Sequence, residues 1–349
     1  QNRSACFCGN WIKMKKLRAR ILTIAALLFK CASLNAQNFF GLEVTPFFTI
    51  RSGSQYEYVY TNTYSDGATL SLLDWQQNPV LFEGAKAAVR LGRFSLSGQA
   101  SAAVPGTDAG FVTDYDWKNL ELTRDTTLQK ICTNYSKSTC TVNADYFLSA
   151  RALFCLKKTH SFSISPFAEL EYTYSHYQAD GGILKYGAKD SKTNTYSSYE
   201  TAEEESMTGT VLSLQRIEYF TWAGLELKWD TFRGTKILFE ISACPYANIQ
   251  SLDYHALRYT YFLDLMEGFF CGIKASLGLE TELTKRLSLC ISAQILDTST
   301  IDGNTRVKSY SSKYFSDFIS SKKDCGSSFS FFWIPNNSAT DIGLDCLFL

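Results

Sequence analysis

Histidine is scarce in this chain. His160, His176 and His255 are the only three, too few and too scattered for a zinc site of clustered His and Cys ligands, so neither a metal nor another cofactor is expected. Proline numbers only six, which leaves long stretches free to form uninterrupted strands. Neither sign of charge is in excess, with 34 basic residues against 34 acidic ones, and nothing here asks for nucleic acid as a partner. No Gly-rich phosphate loop and no nucleophile elbow stands out, which argues against nucleotide binding and serine-hydrolase chemistry. Beyond residue 37 no apolar run is long enough to cross a bilayer as a helix. What the chain does have is aromatic side chains, including 20 Tyr and 25 Phe. That composition suits strands and aromatic girdles better than a helical enzyme.

Eleven cysteines would ordinarily suggest a disulfide framework. Three precede residue 37, and the rest lack metal-type spacing. Cys155, Cys244, Cys271, Cys290 and Cys346 fall inside strand-like runs and read as small buried residues. Cys132 and Cys140 bracket one polar loop and are the candidates for a pair. At the front, residues 1–13 read as an upstream extension. Met14 opens a secretory signal over 14–36: basic Lys15, Lys16, Arg18 and Arg20, an apolar run over 21–29, and a cleavage site at Leu34-Asn35-Ala36. Residues 37–349 are expected to form a single domain that starts at Gln37.

That domain alternates with period two. Ile273, Ala275, Leu277, Leu279 and Leu283 face one way, against Lys274, Ser276, Gly278, Glu280 and Glu282. Residues 141–156 repeat the pattern, with Val142, Ala144, Tyr146 and Leu148 opposite Asn143, Asp145, Ser149 and Arg151. Charges inside long strands need a wet or well-paired interior, which a membrane barrel supplies. The expected fold is all-β, a ten-stranded antiparallel transmembrane β-barrel. Its strands fall near 38–60, 70–91, 94–104, 141–156, 161–178, 209–229, 237–250, 265–284, 287–300 and 327–349. Short turns alternate with long polar segments near 61–69, 105–140, 181–208, 251–264 and 301–326, the short periplasmic turns and long extracellular loops of an outer-membrane barrel.

The chemistry then rests on carboxylates and one histidine. Asp114-Tyr115-Asp116 and Asp253-Tyr254-His255 share an i, i+2 spacing, which puts both polar groups on one side of an extended backbone. Two close carboxylates share a proton, so one can accept while the other donates. An aspartate beside a histidine fixes its tautomer and raises its basicity. Both motifs follow upward strands, on opposite sides of the expected barrel mouth. A water held between them would be a nucleophile aimed at a peptide in the cleft.

With those residues in place, the chain resembles the omptin family of outer-membrane proteases. Ser52-Gly53 with Glu57, Val59 and Tyr60 is similar to the family's first upper strand. Leu73-Asp74-Trp75, Gly84-Ala85, Ser97-Gly98, Gly110, Asp114, Asp116 and Trp117 follow its pattern in order, and Asp253 and His255 match its second catalytic pair. The resemblance implies an endopeptidase of the cell outer membrane, active site outward, that acts as a monomer on peptides or proteins near basic residues. Its implied catalytic set is Asp114, Asp116, Asp253 and His255. Glu57 matches one of the two acids that line the family's pocket for a basic side chain; Ser251 stands where the other is expected. Tyr172, Tyr174 and His176 occupy the stretch where the family carries a charged lipopolysaccharide patch, so an aromatic girdle is expected there instead. The competing reading is a non-enzymatic barrel, an adhesin or small pore.

Overall fold

A computed structural model describes residues 40–60, 68–231, 234–284, 287–309, 328–334 and 341–346. The expected leader and the turn at Lys285-Arg286 lie outside them. The described strands are β1 (Phe40–Tyr60), β2 (Thr69–Leu91), β3 (Phe94–Ala103), β4 (Asp108–Asp116), β5 (Asn134–Phe154), β6 (Lys157–Lys158), β7 (Phe162–Tyr186), β8 (Lys189–Asp190), β9 (Thr195–Tyr196), β10 (Glu205–Asp230), β11 (Thr235–His255), β12 (Thr260–Phe269), β13 (Gly272–Thr284), β14 (Leu287–Ser309), β15 (Ser328–Ile334) and β16 (Asp341–Cys346). All but the β8–β9 hairpin belong to one fourteen-stranded sheet. Its ladders are antiparallel throughout, as the alternating pattern requires.

Several strands are interrupted and resumed. β3 and β4 follow one another along β2 and β5. β12 and β13 do the same along β11 and β14. β15 and β16 lie against β14 on one side and β1 on the other.

The strands are longer than the sequence pattern suggests. A tilted strand crosses the hydrocarbon of a bilayer in about 9–11 residues. β5, β7, β10 and β11 have 21, 25, 26 and 21. Segments expected as loops, 105–140, 181–208 and 251–264, therefore contain long pieces of strand, and Asp114, Asp116, Asp253 and His255 lie on them. The physical reason is visible on the outer face. In one half it is apolar, with Leu42, Val44, Leu148, Leu170, Leu225, Ile241, Ile273 and Leu277 all exposed. In the other half Asn143, His176, Gln178, Gln215, Asn248 and Gln250 take that face, so the alternation that marks a strand fades. The boundary carries Tyr146 stacked on Tyr174 at 6.1 Å, and the tilted ring pairs Tyr172–Tyr219 and Tyr246–Phe269, each at 5.2 Å.

Near the same level three strands bulge, and each bulge exchanges their inner and outer faces. Ser52 of β1 faces both Asn78 and Pro79 of β2, so the buried set passes from Phe82 and Val80 to Trp75 and Leu73. Asn143 is the extra residue of β5. It places Val142 inside, where the sequence pattern had grouped it with the outward Tyr146 and Leu148. Trp222 of β10 faces Cys244 and Pro245 of β11. Pro245 fits such a position because it has no N–H to give to the ladder.

The inward face also divides. Its lower part is charged and paired: Arg151 meets Glu240 at 2.8 Å and Glu226 at 3.3 Å, and Lys274 meets Glu169 at 3.5 Å and also Glu171. Its upper part is apolar, in two clusters. Leu73, Trp75, Val112, Cys140, Val142, Tyr177, Leu212 and Leu214 form one. Phe220, Trp222, Cys244, Ala247, Ile249, Met266, Cys271 and Ile301 form the other.

Candidate active site

The two half-sites stand on those two clusters, past the aromatic boundary. On β4, Asp114 and Asp116 share the face of Val112, with Leu73 as the cross-strand partner of Asp114. Gly110 makes the approach possible: its φ is +94°, and a Cβ there would lie 2.0 Å from the Gln76 carbonyl oxygen. Ser71 donates to Asp114 Oδ1 at 3.2 Å, and Asn134 donates to Asp116 Oδ2 at 3.3 Å. The Asp116 backbone carbonyl accepts from the Thr133 hydroxyl at 2.9 Å.

On β11 the bulge decides the outcome. Before it Ser242 and Cys244 are buried; after it the buried residues are Ala247, Ile249, Ser251, Asp253 and His255. Without the extra residue the second half-site would face outward. Ile237, Phe239, Ile241 and Ala243 share parity with Ser251, Asp253 and His255, so the sequence requires a break between Pro245 and Ser251; the structure has it at Cys244–Pro245. His255 Nε2 and Asp253 Oδ2 are 2.6 Å apart, and the Phe262 ring meets the imidazole edge-on at 4.9 Å. Arg258, on the turn after His255, reaches across to Asp114 Oδ2 at 3.6 Å. The two half-sites are thus neighbours, bridged by one arginine.

Burial, then the Asp116 carboxylate, push Asp114 up to about 7, although His255, Arg258 and Ser71 pull it down. Burial disfavours the charged imidazole of His255. The charge and hydrogen bond of Asp253, with help from Asp114, outweigh that and leave its pKa raised. Each half-site therefore feels the other's charge. An imidazole with elevated basicity beside a carboxyl that changes protonation near neutrality is suited to move a proton to and from a bound water.

Glu57 and Ser251 lie deeper. Glu57 is buried beside Arg216, whose Nη2 is 3.8 Å from Glu57 Oε2. Ser251 is fully buried, the cross-strand partner of Arg216 on one side and of Asp264 on the other. Asp264 accepts from Thr305 at 2.7 Å. Burial, then Glu57, hold Asp264 well above the carboxylate range; burial, then Asp253, also raise Glu57.

Sequence reasoning missed Arg216, Asp264 and Arg258. Arg216 had a signal: it shares parity with Leu212, Leu214, Phe220 and Trp222, so a charge was bound inward. Asp264 had none, since it fell in an expected loop. The proposed Cys132–Cys140 pair is not formed. Both thiols are free, Cys132 donating to the Asp116 and Asn134 carbonyls and Cys140 buried in the first apolar cluster, with a run of extended strand between them. Among the described residues no cluster of His, Cys, Asp and Glu is arranged to hold a metal.

Comparison with known proteins agrees with this architecture. The fold is similar to the outer membrane protease OmpT from Escherichia coli, with a TM-score of 0.69 at 13% identity, covering 91% of this chain and 100% of that one. A weaker likeness is to the toluene transporter TodX of P. putida, with a TM-score of 0.31 at 10% identity, covering 88% of this chain and 70% of that one. A sequence search among curated proteins gives no match. The profile of the omptin family matches residues 47–323, most of the chain. This chain belongs to the omptin family.

Proposed function

We propose that the chain is an endopeptidase of the outer membrane, in which a water held between the Asp114–Asp116 pair and the Asp253–His255 dyad attacks a peptide carbonyl. The observation that carries this reading is the approach of the two motifs, 137 positions apart at their nearer ends (Asp116 and Asp253), with Arg258 of one reaching Asp114 of the other, on two bulged or glycine-relieved strands. His255 takes a proton from the water while Asp253 holds its ring. Asp114 orients the water, and the pair's shared proton steadies the oxygen of the tetrahedral intermediate. His255 then returns its proton to the leaving amine.

The interrupted strands pair off into ten spans, and the edge contacts of β1 with β15 and β16 close them into a cylinder. Its apolar half sits in lipid, the tyrosine ring marks the interface, and the cleft faces outward as a monomer. Tyr172, Tyr174 and His176 belong to that ring. The adhesin or pore reading leaves the convergence of the four site residues without a role.

The test is cleavage of quenched peptides by detergent-refolded protein. Asp253→Asn and His255→Ala should each lower kcat by roughly three to four orders of magnitude, with heat-modifiable gel mobility unchanged. Because His255 must be neutral to act and its pKa is raised, kcat/KM should climb with pH on a limb above the usual histidine range. Asp253→Asn should move that limb to lower pH. Wild-type turnover by folded His255→Ala would refute the assignment.

A further inference from the structure

Resting on the endopeptidase reading of this cleft, we infer that Arg216 is a built-in occupant of the side-chain pocket beside the dyad, so that an uncharged residue at the cut is preferred over arginine or lysine. Three ionisable groups are enclosed there, with Glu57 at 3%, Arg216 at 2% and Asp264 at 0% exposure. Burial, then neighbouring carboxylates, raise both Glu57 and Asp264, so the two acids resist ionising together. The Arg216 guanidinium, 3.8 Å from Glu57, already answers the acidic charge there before any substrate arrives.

The sequence makes room for this arrangement. Arg216 is flanked across the ladders by Ser175 and Ser251, both small and buried. With serine at 251, the long side chain can lie across that strand toward Glu57. A substrate guanidinium entering the same space would meet a fixed like charge, whereas a neutral side chain meets no such penalty.

The test uses peptides identical but for Arg, Gln or Leu before the cut. Wild type is expected to cleave the Gln and Leu peptides with kcat/KM at least tenfold above the Arg peptide. Arg216→Gln should shift that ratio at least tenfold toward Arg. A tenfold wild-type preference for Arg, or an unchanged ratio in R216Q, would overturn the inference. Benzamidine, a guanidinium mimic, reads the pocket without turnover: it should raise the heat-unfolding temperature of R216Q and leave wild type unmoved. Equal protection of both proteins would also overturn it. If no peptide is cut by either protein, the endopeptidase reading falls and benzamidine alone still decides the pocket.

A second observation carries a separate inference: the structure assigns Cys244 and Cys271 as a disulfide pair of the exported protein. Their Sγ atoms are 3.5 Å apart, both residues are buried, and the Cys271 N–H donates to the Cys244 carbonyl at 3.2 Å. The sulfurs need only close from 3.5 Å to about 2.05 Å to bond. In an oxidising cell envelope the two thiols give up two protons and two electrons. A protein disulfide of an envelope thiol oxidase accepts them and becomes its dithiol, and an S–S bond forms. The link would join β11 to the break between β12 and β13, at the bulge that turns Asp253 and His255 inward.

Full-length protein in isolated outer membranes, alkylated in denaturant before reduction and then digested, should yield a peptide pair linked through residues 244 and 271 that separates on reduction. Recovery of both cysteines fully alkylated without reduction would overturn the assignment.

Discussion

Asp114 shows how a single residue's chemistry opposes its stability. Its carboxyl ionises near 3.8 in an unstructured chain and at about 7 in the fold, because burial and Asp116 disfavour the charge. The carboxylate therefore weighs against the folded state as pH rises from about 4 to about 7, and the full cost is present above that. Asp114→Asn should be more stable than wild type by up to about 4 kcal/mol at pH 8, and equal to it at pH 4. Urea unfolding of the refolded protein at the two pH values, followed by tryptophan fluorescence, measures this; a pH-independent difference would contradict it. The pairing of Asp114 with Asp116 and of Asp253 with His255 on one strand face was legible in the sequence because i, i+2 spacing survives on any extended backbone. Arg216 and Asp264 were not, because their role depends on which strands lie beside Ser251, and no local pattern encodes that.

At the level of elements, the bulges carry the design. One extra residue at Cys244–Pro245 changes which side chains of β11 point inward, and with them the fate of Ser251, Asp253 and His255. Deleting Pro245 should restore regular pairing with Trp222 and turn those three outward. We expect the variant to keep heat-modifiable mobility, lose cleavage, and expose His255 to diethyl pyrocarbonate. An active variant would show that the bulge does not set the facing. The need for such a break could be inferred from sequence, since a regular strand would aim the dyad the wrong way. The strand extents could not be inferred. Above the apolar belt both faces of the sheet are polar or pack on protein, so β4, the first part of β5 and the far ends of β7, β10 and β11 looked like loops.

Across the whole molecule, the inward face is a support. Paired charges around Arg151 and Lys274 line a cavity of about 280 Å³ in its lower part, and two apolar clusters pack below the half-sites. Planar-bilayer recordings should accordingly show no steady conductance; a stable open channel would favour the pore reading. The central claim is that two half-sites from distant strands act on one water as a unit. A double-mutant cycle in kcat on Asp114 and His255 tests it most directly. Asp114→Ala and His255→Ala should each cost roughly 10³ to 10⁴, and the double variant should be no slower than the slower single one. Losses that multiply in the double variant, or a single variant that keeps wild-type turnover, would contradict it.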